Sequence, residues 1–361
     1  MSKTFKTIFL VGLLTAACQP QTTEQATQFP PGAHDPMEID LPLGIEAAPP
    51  IPDDNPMTAA KVELGKQLFF DPRLSSDGTV SCATCHNPVL GFTDGRPVSM
   101  GVVGQEGGRS APTVINLAYA QLGVFWDGRA KDLEEQAVGP IANPIEMGNT
   151  HRAAVATLNG IRGYREQFEA IFGSADITID NVGKALAAFE RTIISGNSAW
   201  DRFTAGDQSA LSESAQRGWT LFQDREKANC IACHAGFNLT DNGYHNLGVG
   251  MDEEVPDQGR YIVTQAEEDR GRFKTPTLRD ILYTRPYMHD GRFWTLAEVV
   301  DFYNDGGFRN PTLDQEIKPL RLTDQEKADL VEFMRALDGE GWQVQPPTTL
   351  PQAASTAAGL Q

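Results

Sequence analysis

Two short stretches, Cys82-Ala83-Thr84-Cys85-His86 and Cys230-Ile231-Ala232-Cys233-His234, constrain this chain more than any other feature. Each places two thiols one helical turn apart with an imidazole directly after them. That spacing lets the thiols bond the two vinyl groups of a haem while the histidine offers a nitrogen to the iron from below. The chain has five cysteines, and with Cys18 near the N-terminus set aside none is left over. A single zinc site of four cysteines needs its pairs close in sequence, whereas these lie in opposite halves of the chain and each carries its own histidine. Disulfides across each pair are the other alternative for an exported chain. A thioredoxin-like redox motif would not be duplicated, and the strand and helix alternation it needs is missing. The reading is two covalently bound haem c groups.

The chain also repeats itself. Gly65-Lys66-Gln67-Leu68-Phe69 precedes the first motif and Gly218-Trp219-Thr220-Leu221-Phe222 the second. Further on, Pro112-Thr113-Val114 and Trp126-Asp127-Gly128-Arg129 match Pro276-Thr277-Leu278 and His289-Asp290-Gly291-Arg292. Helical periodicity dominates both halves. Val182, Leu186, Phe189 and Ile193 recur at three- and four-residue steps, and Thr323 with Glu326 forms a capping box before Leu330, Phe333 and Leu337. These features predict an all-α chain of two tandem cytochrome c-type domains with long loops, spanning 57–205 and 206–345, followed by a disordered tail at 346–361.

Residues 1–18 read as an export signal: Lys3 and Lys6, an apolar run from Ile8 to Leu14, then small residues before Cys18. Leu14-Thr15-Ala16-Ala17-Cys18 resembles a bacterial lipoprotein box, with Thr15 where Leu is usual. Residues 19–56, rich in Pro, Gln and Thr, read as a flexible tether. The expected location is therefore the periplasm, with membrane attachment only through a lipid anchor at Cys18. Nothing after the leader is long and apolar enough to span a bilayer. The formal net charge is −18, and losing Lys3 and Lys6 with the leader makes the body more acidic still. Nucleic acid is thereby excluded as a partner class, and a basic or dipolar protein partner is favoured over an acidic one.

Whether such a haem carries electrons or reacts depends on what covers its sixth position. Here the chain resembles the bacterial dihaem cytochrome c peroxidase and MauG superfamily over about residues 60–340. The resemblance rests on both haem motifs, the L-F-F-D-P-R-L-S run at 68–75, F-W-D-G-R-A at 125–130, Gln136, Glu146-Met147, and P-Y-M-H-D-G at 286–291. It implies that Glu146 and Gln136 form the distal acid–base pair over the first haem and that Trp126 lies between the two haems. A carboxylate such as Glu146 suits the proton transfer between peroxide oxygens that heterolysis requires.

Departures from the family pattern are as informative. Peroxidases of the family cap the resting first haem with a loop His, but no His occurs between His86 and His151, and Val102 stands at that place. Met100 is the soft ligand nearest to hand. At the sixth position of the second haem the resemblance implies Tyr303, as in the MauG-type branch, with Met251, Met288 and His289 as fallbacks; His245 and His289 are otherwise read as structural. The family's calcium ligands map to Ser110, where Asn is usual, and to the carbonyls of Thr284 and Pro286.

The expected function is a dihaem oxidoreductase that reacts with hydrogen peroxide at an open N-terminal haem and oxidises a protein substrate at long range through a high-valent dihaem state. The alternatives are a peroxidase fed by a small redox-protein electron donor, and a non-catalytic dihaem electron-transfer cytochrome. Intact mass of the mature protein from a host competent for cytochrome c maturation should exceed the polypeptide by two haems, and a mass without both increments would refute the attachment reading.

Overall fold

The computed structural model describes residue 29 and residues 32–352. The leader, Cys18 and the end of the tail lie outside the described residues. Within them the chain is mostly helical, with one two-stranded antiparallel ribbon, β1 (Tyr244–His245) against β2 (Phe273–Lys274). Each half is organised around a crossed pair of helices. In the first, α1 (Ala59–Phe69) packs on α3 (Ile179–Glu190), with α2 (Leu133–Ala142) against another side of α3. In the second, α4 (Glu213–Gln223) packs on α6 (Asp324–Arg335), which α5 (Leu296–Asp305) also meets.

The repeated glycine explains how these pairs cross. A Cβ on Gly65 would drive into the Ala185 carbonyl and the Phe189 side chain, and one on Gly218 into the Asp329 carbonyl and Phe333. Only a residue without a side chain lets the backbones approach that closely. The sequence repeat is therefore a packing repeat. Around each crossing the apolar stripes close into a core: Phe69 meets Phe189 with ring centroids 5.2 Å apart, and Phe222 meets Phe333 at 5.0 Å. Leu64, Leu68 and Leu186 in the first core, and Leu330 and Leu337 in the second, are buried beside them.

Helix boundaries follow their caps. Thr178 starts α3 by accepting the Asn181 N–H, and Thr323 and Glu326 open α6 with the reciprocal bonds of a capping box. The periodicity of α3 runs on to Ile193, but the helix stops at Glu190. There the Thr192 hydroxyl donates back to the Phe189 carbonyl, so Ile193 is buried from a turn.

The stretch expected to be a free tether up to residue 56 behaves differently from about residue 33 on. Ala33, Ile45 and Asn55 are buried, the Tyr119 hydroxyl donates to the Ala47 carbonyl, and Asn55 donates to both Glu134 and the Lys184 carbonyl. Prolines bar helix and sheet here but leave carbonyls to accept and small apolar groups to bury, so this part forms a strap on the body. At the other end, residues 346–352 have no regular structure, and Pro351 lies against Gly163.

Arg279 ties three distant parts together. It is fully buried, forms a two-pronged ion pair with buried Asp201 at 2.8 and 2.9 Å, and donates to the carbonyls of Phe237 and Gly44. Removing one partner of such a pair strands a buried charge, which costs about 3–5 kcal/mol. Arg279→Met should therefore lower unfolding stability of the holoprotein by about that amount in denaturant titration, whereas an exposed pair contributes roughly 0–1 kcal/mol. A loss no larger than the exposed-pair value would show that Arg279 does not hold the halves together.

Candidate active site

The two haem motifs line one continuous cavity of about 640 Å³ between the halves. Cys82 and Cys85 begin and end a single helical turn, at whose start the Ser81 N–H donates to Thr84 Oγ1 at 3.0 Å. Cys230 opens a 3-10 turn after Asn229, which has a left-handed φ of 48°. All four cysteines are free rather than joined in disulfides. Burial pushes the Cys85 thiol up to about 11 and the Cys230 thiol up to about 12, so both are neutral thiols in the polypeptide.

The histidines are oriented alike. His86 Nδ1 lies 3.1 Å from the Phe92 carbonyl oxygen and His234 Nδ1 lies 3.0 Å from that of Leu239. A carbonyl oxygen only accepts, so Nδ1 carries the proton in both rings and Nε2 keeps its lone pair. Burial lowers the pKa of both imidazoles and favours the neutral form. Phe92 and Leu239 hold left-handed φ values of 58° and 50°, which side-chain-bearing residues seldom adopt. Two thiols, one free imidazole nitrogen and an apolar wall occur in each half, and this donor set fits a haem in each.

On the far side of the first motif, α2 and the loop after it bring Gln136, Pro140, Asn143 and Glu146 to the cavity wall. Burial raises the Glu146 carboxyl, opposed by the charge of Arg129 and by the Asn143 side chain, which donates to Glu146 Oε1 at 2.8 Å. The loop from Ser99 crosses this segment, with the buried Val102 donating its N–H to the Glu146 carbonyl. Met100 also lines the cavity, while its sulfur accepts from the Arg96 guanidinium.

In the second half α5 brings Tyr303 to the same cavity, where burial, and then the nearby Cys233 and Cys230, push its phenol up. Of the fallback ligands, Met288 and His289 line the cavity and Met251 does not; Met251 packs beside Gly271. His289 is buried, stacked on Phe273 with centroids 3.5 Å apart, and lowered to about 4 chiefly by desolvation, as a neutral structural ring would be. His245 bridges Asp241 and Asp314 at 2.9 and 2.7 Å.

At the waist, the Trp126 indole N–H donates to the Ser110 carbonyl at 2.9 Å, and its ring meets His289 edge-on with centroids 6.4 Å apart. Trp126 and His289 are equivalent positions of the repeat, so the halves touch through their matching residues. Ser110, Thr284 and Pro286 lie on this cavity wall too, although the Ser110 hydroxyl donates to the Met288 carbonyl at 3.0 Å.

Residues 59–209 match the family model of the di-haem cytochrome c peroxidases, and residues 215–338 match that of cytochrome c. The chain is 43% identical over 306 residues to the methylamine utilization protein MauG of Methylorubrum extorquens, covering 84% of each chain. It is 41% identical over 308 residues to the cytochrome c551 peroxidase of Nitrosomonas europaea, covering 85% of this chain and 87% of that one. The chain belongs to the di-haem cytochrome c peroxidase and MauG family. A crystal structure of a MauG-like protein associated with microbial copper homeostasis superposes with a TM-score of 0.78 at 35% identity, over 86% of this chain and 98% of that one. As a family member the chain is a haem-dependent oxidoreductase built from cytochrome c-type domains that imply covalently bound haem c. That membership sets aside the reading as a non-catalytic carrier. Hydrogen peroxide and a protein substrate or redox partner are what it implies as reactants.

Sequence reasoning missed Glu190. It ends α3, is buried, lines the cavity, leaves Oε2 without a partner, and is pushed up to about 8 by burial. The signal was an acid directly after Phe189 in an otherwise apolar helical stripe. Also missed was Arg109, which joins the halves by pairing Asp127 and Asp257 at 2.7 Å each.

Glu146→Gln should slow consumption of hydrogen peroxide by about 10²-fold or more, the scale of removing a general acid–base group, with haem attachment intact. A variant that consumes peroxide at the parental rate would make Glu146 an ordinary cavity-wall carboxyl.

Proposed function

We propose that this protein is a MauG-type oxidoreductase, one that takes hydrogen peroxide at an open haem of the first domain and oxidises a protein substrate at long range. The observation that carries the reading is Tyr303, a half-buried phenol on the cavity wall near Cys230 and Cys233. The haems, when bound, supply the redox chemistry. A phenolate at the second iron would be a hard anionic ligand favouring the oxidised metal, whereas a thioether would favour the reduced one. His86 and His234, each with Nδ1 committed to a carbonyl, would hold the two irons through Nε2. Over the first site Glu146 moves a proton from one peroxide oxygen to the other, Asn143 orients its carboxyl, and the Gln136 amide holds the substrate by a hydrogen bond. The buried Val102 at the cap position offers no ligand, which supports a first site open without prior reduction. Trp126, at the waist, links the two sites electronically.

Removal of peroxide with electrons from a small redox protein is the second reading, supported by the similarity to a cytochrome c551 peroxidase. A calcium ion between the domains, held by Ser110 and the carbonyls of Thr284 and Pro286, belongs to the proposal, supported by the fact that all three residues line the cavity. So does export to the periplasm with lipidation at Cys18. No helix among the described residues is long and apolar enough to cross a membrane.

Spectroelectrochemistry of the parent and of Tyr303→Met tests the reading. The substitution should raise the potential of the second haem and abolish direct reaction of the diferric enzyme to a long-lived oxidised state, leaving the first haem unchanged. An unchanged second potential would assign the sixth position to another residue, Met288 first.

A further inference from the structure

A line of aromatic rings leads from the first haem motif to the surface by a route the proposed chemistry does not use. Phe92, whose carbonyl orients His86, is fully buried and meets buried Trp342 with ring centroids 6.4 Å apart. Trp342 in turn meets Tyr283 at 5.2 Å. Tyr283 is 42% exposed, sits against Gly91 of the segment that follows the motif, and immediately precedes Thr284 on the cavity wall.

Two carboxyls accompany the rings. The Trp342 indole N–H donates to Asp280 Oδ1 at 2.8 Å, and a hydrogen-bond acceptor at that N–H stabilises an electron-deficient indole. Asp338 is near enough to Tyr283 to raise its phenol, is itself raised by burial and then by Asp280, and its Oδ1 is buried without a hydrogen-bond partner. It lies at about 6, so it is an anion able to take a proton at neutral pH. Val89, 80% exposed, and Leu90, 38% exposed, immediately precede Gly91 and give the tyrosine an apolar rim.

We infer that Tyr283 and Trp342 form a relay through which single electrons enter the first haem from the protein surface. The inference rests on the reaction with peroxide proposed above. Reduction of one hydrogen peroxide to two waters consumes two electrons and two protons. For each electron, Trp342 passes one to the oxidised haem centre and is refilled by Tyr283, whose phenolic proton moves to the Asp338 carboxylate. The tyrosyl radical then takes one electron from a reduced protein docked on the apolar rim and recovers its proton from Asp338. Two such cycles supply the two electrons for one peroxide; the Tyr283 proton returns each time, so the two protons that complete the waters come from solvent.

The test mixes diferric holoenzyme with one equivalent of hydrogen peroxide and a nitroso spin trap, without any partner protein. The Soret band reports that peroxide has reacted, and peptide mass spectrometry locates the trapped radical. The adduct is expected on Tyr283, absent in Tyr283→Phe and strongly reduced in Trp342→Phe. A Soret response with Tyr283 unlabelled overturns the relay and leaves the peroxide chemistry standing. Full labelling of Tyr283 in Trp342→Phe removes Trp342 from the path and overturns the relay as drawn. A Soret band indifferent to peroxide overturns both the relay and the reading beneath it.

Discussion

An imidazole has two nitrogens, and a carbonyl oxygen within reach of one decides what the other can do. In both halves of this protein a backbone carbonyl fixes the proton on Nδ1 and turns Nε2 toward the cavity. The carbonyl belongs each time to a residue in a left-handed conformation, so the orientation depends on how the loop after the motif is held. In the first half the neighbouring carbonyl, that of Gly91, accepts the Thr113 hydroxyl. Thr113 belongs to the repeated Pro-Thr pair, and its counterpart Thr277 donates to the Asn238 carbonyl, just before Leu239. The repeat thus preserves more than the attachment motif. It preserves the hydroxyl that holds the loop that aims the histidine.

Much of this was legible in the chain. The two motifs, the tandem halves and the final capping box could be read because each is a local pattern with a fixed spacing, whereas Gln136 and Glu146 were picked out only through the family resemblance. The strap at 33–56 could not be read. Proline content shows what a segment cannot form, but it says nothing about whether its carbonyls find donors on a distant surface, as Ala47 finds Tyr119. Glu190 left one local trace, an acid in an apolar helical stripe, but Arg109 left none, because its partner Asp257 comes from a part of the chain far away in sequence. Met251 looked equivalent to Met288 as a sulfur donor until the fold separated them.

The buried charges follow one pattern. The protein is strongly acidic overall, yet inside the fold its carboxylates are met by arginines: Asp201 by Arg279 and Asp127 and Asp257 by Arg109 between the halves, and Glu134 by Arg191 under the strap. Two carboxyls without an ion-pair partner, Glu146 and Glu190, line the cavity, and there burial shifts them toward the neutral acid. Acidity on the outside serves solubility. Inside, burial shifts the same residue type toward its protonated form.

Arg279 gives the molecule a further property. With one guanidinium bound to the strap, to the end of the first half and to the body of the second, the three parts share a single buried anchor. Parting the halves at this point would strand a charge in the interior, so the contact that joins them also sets the cost of separating them.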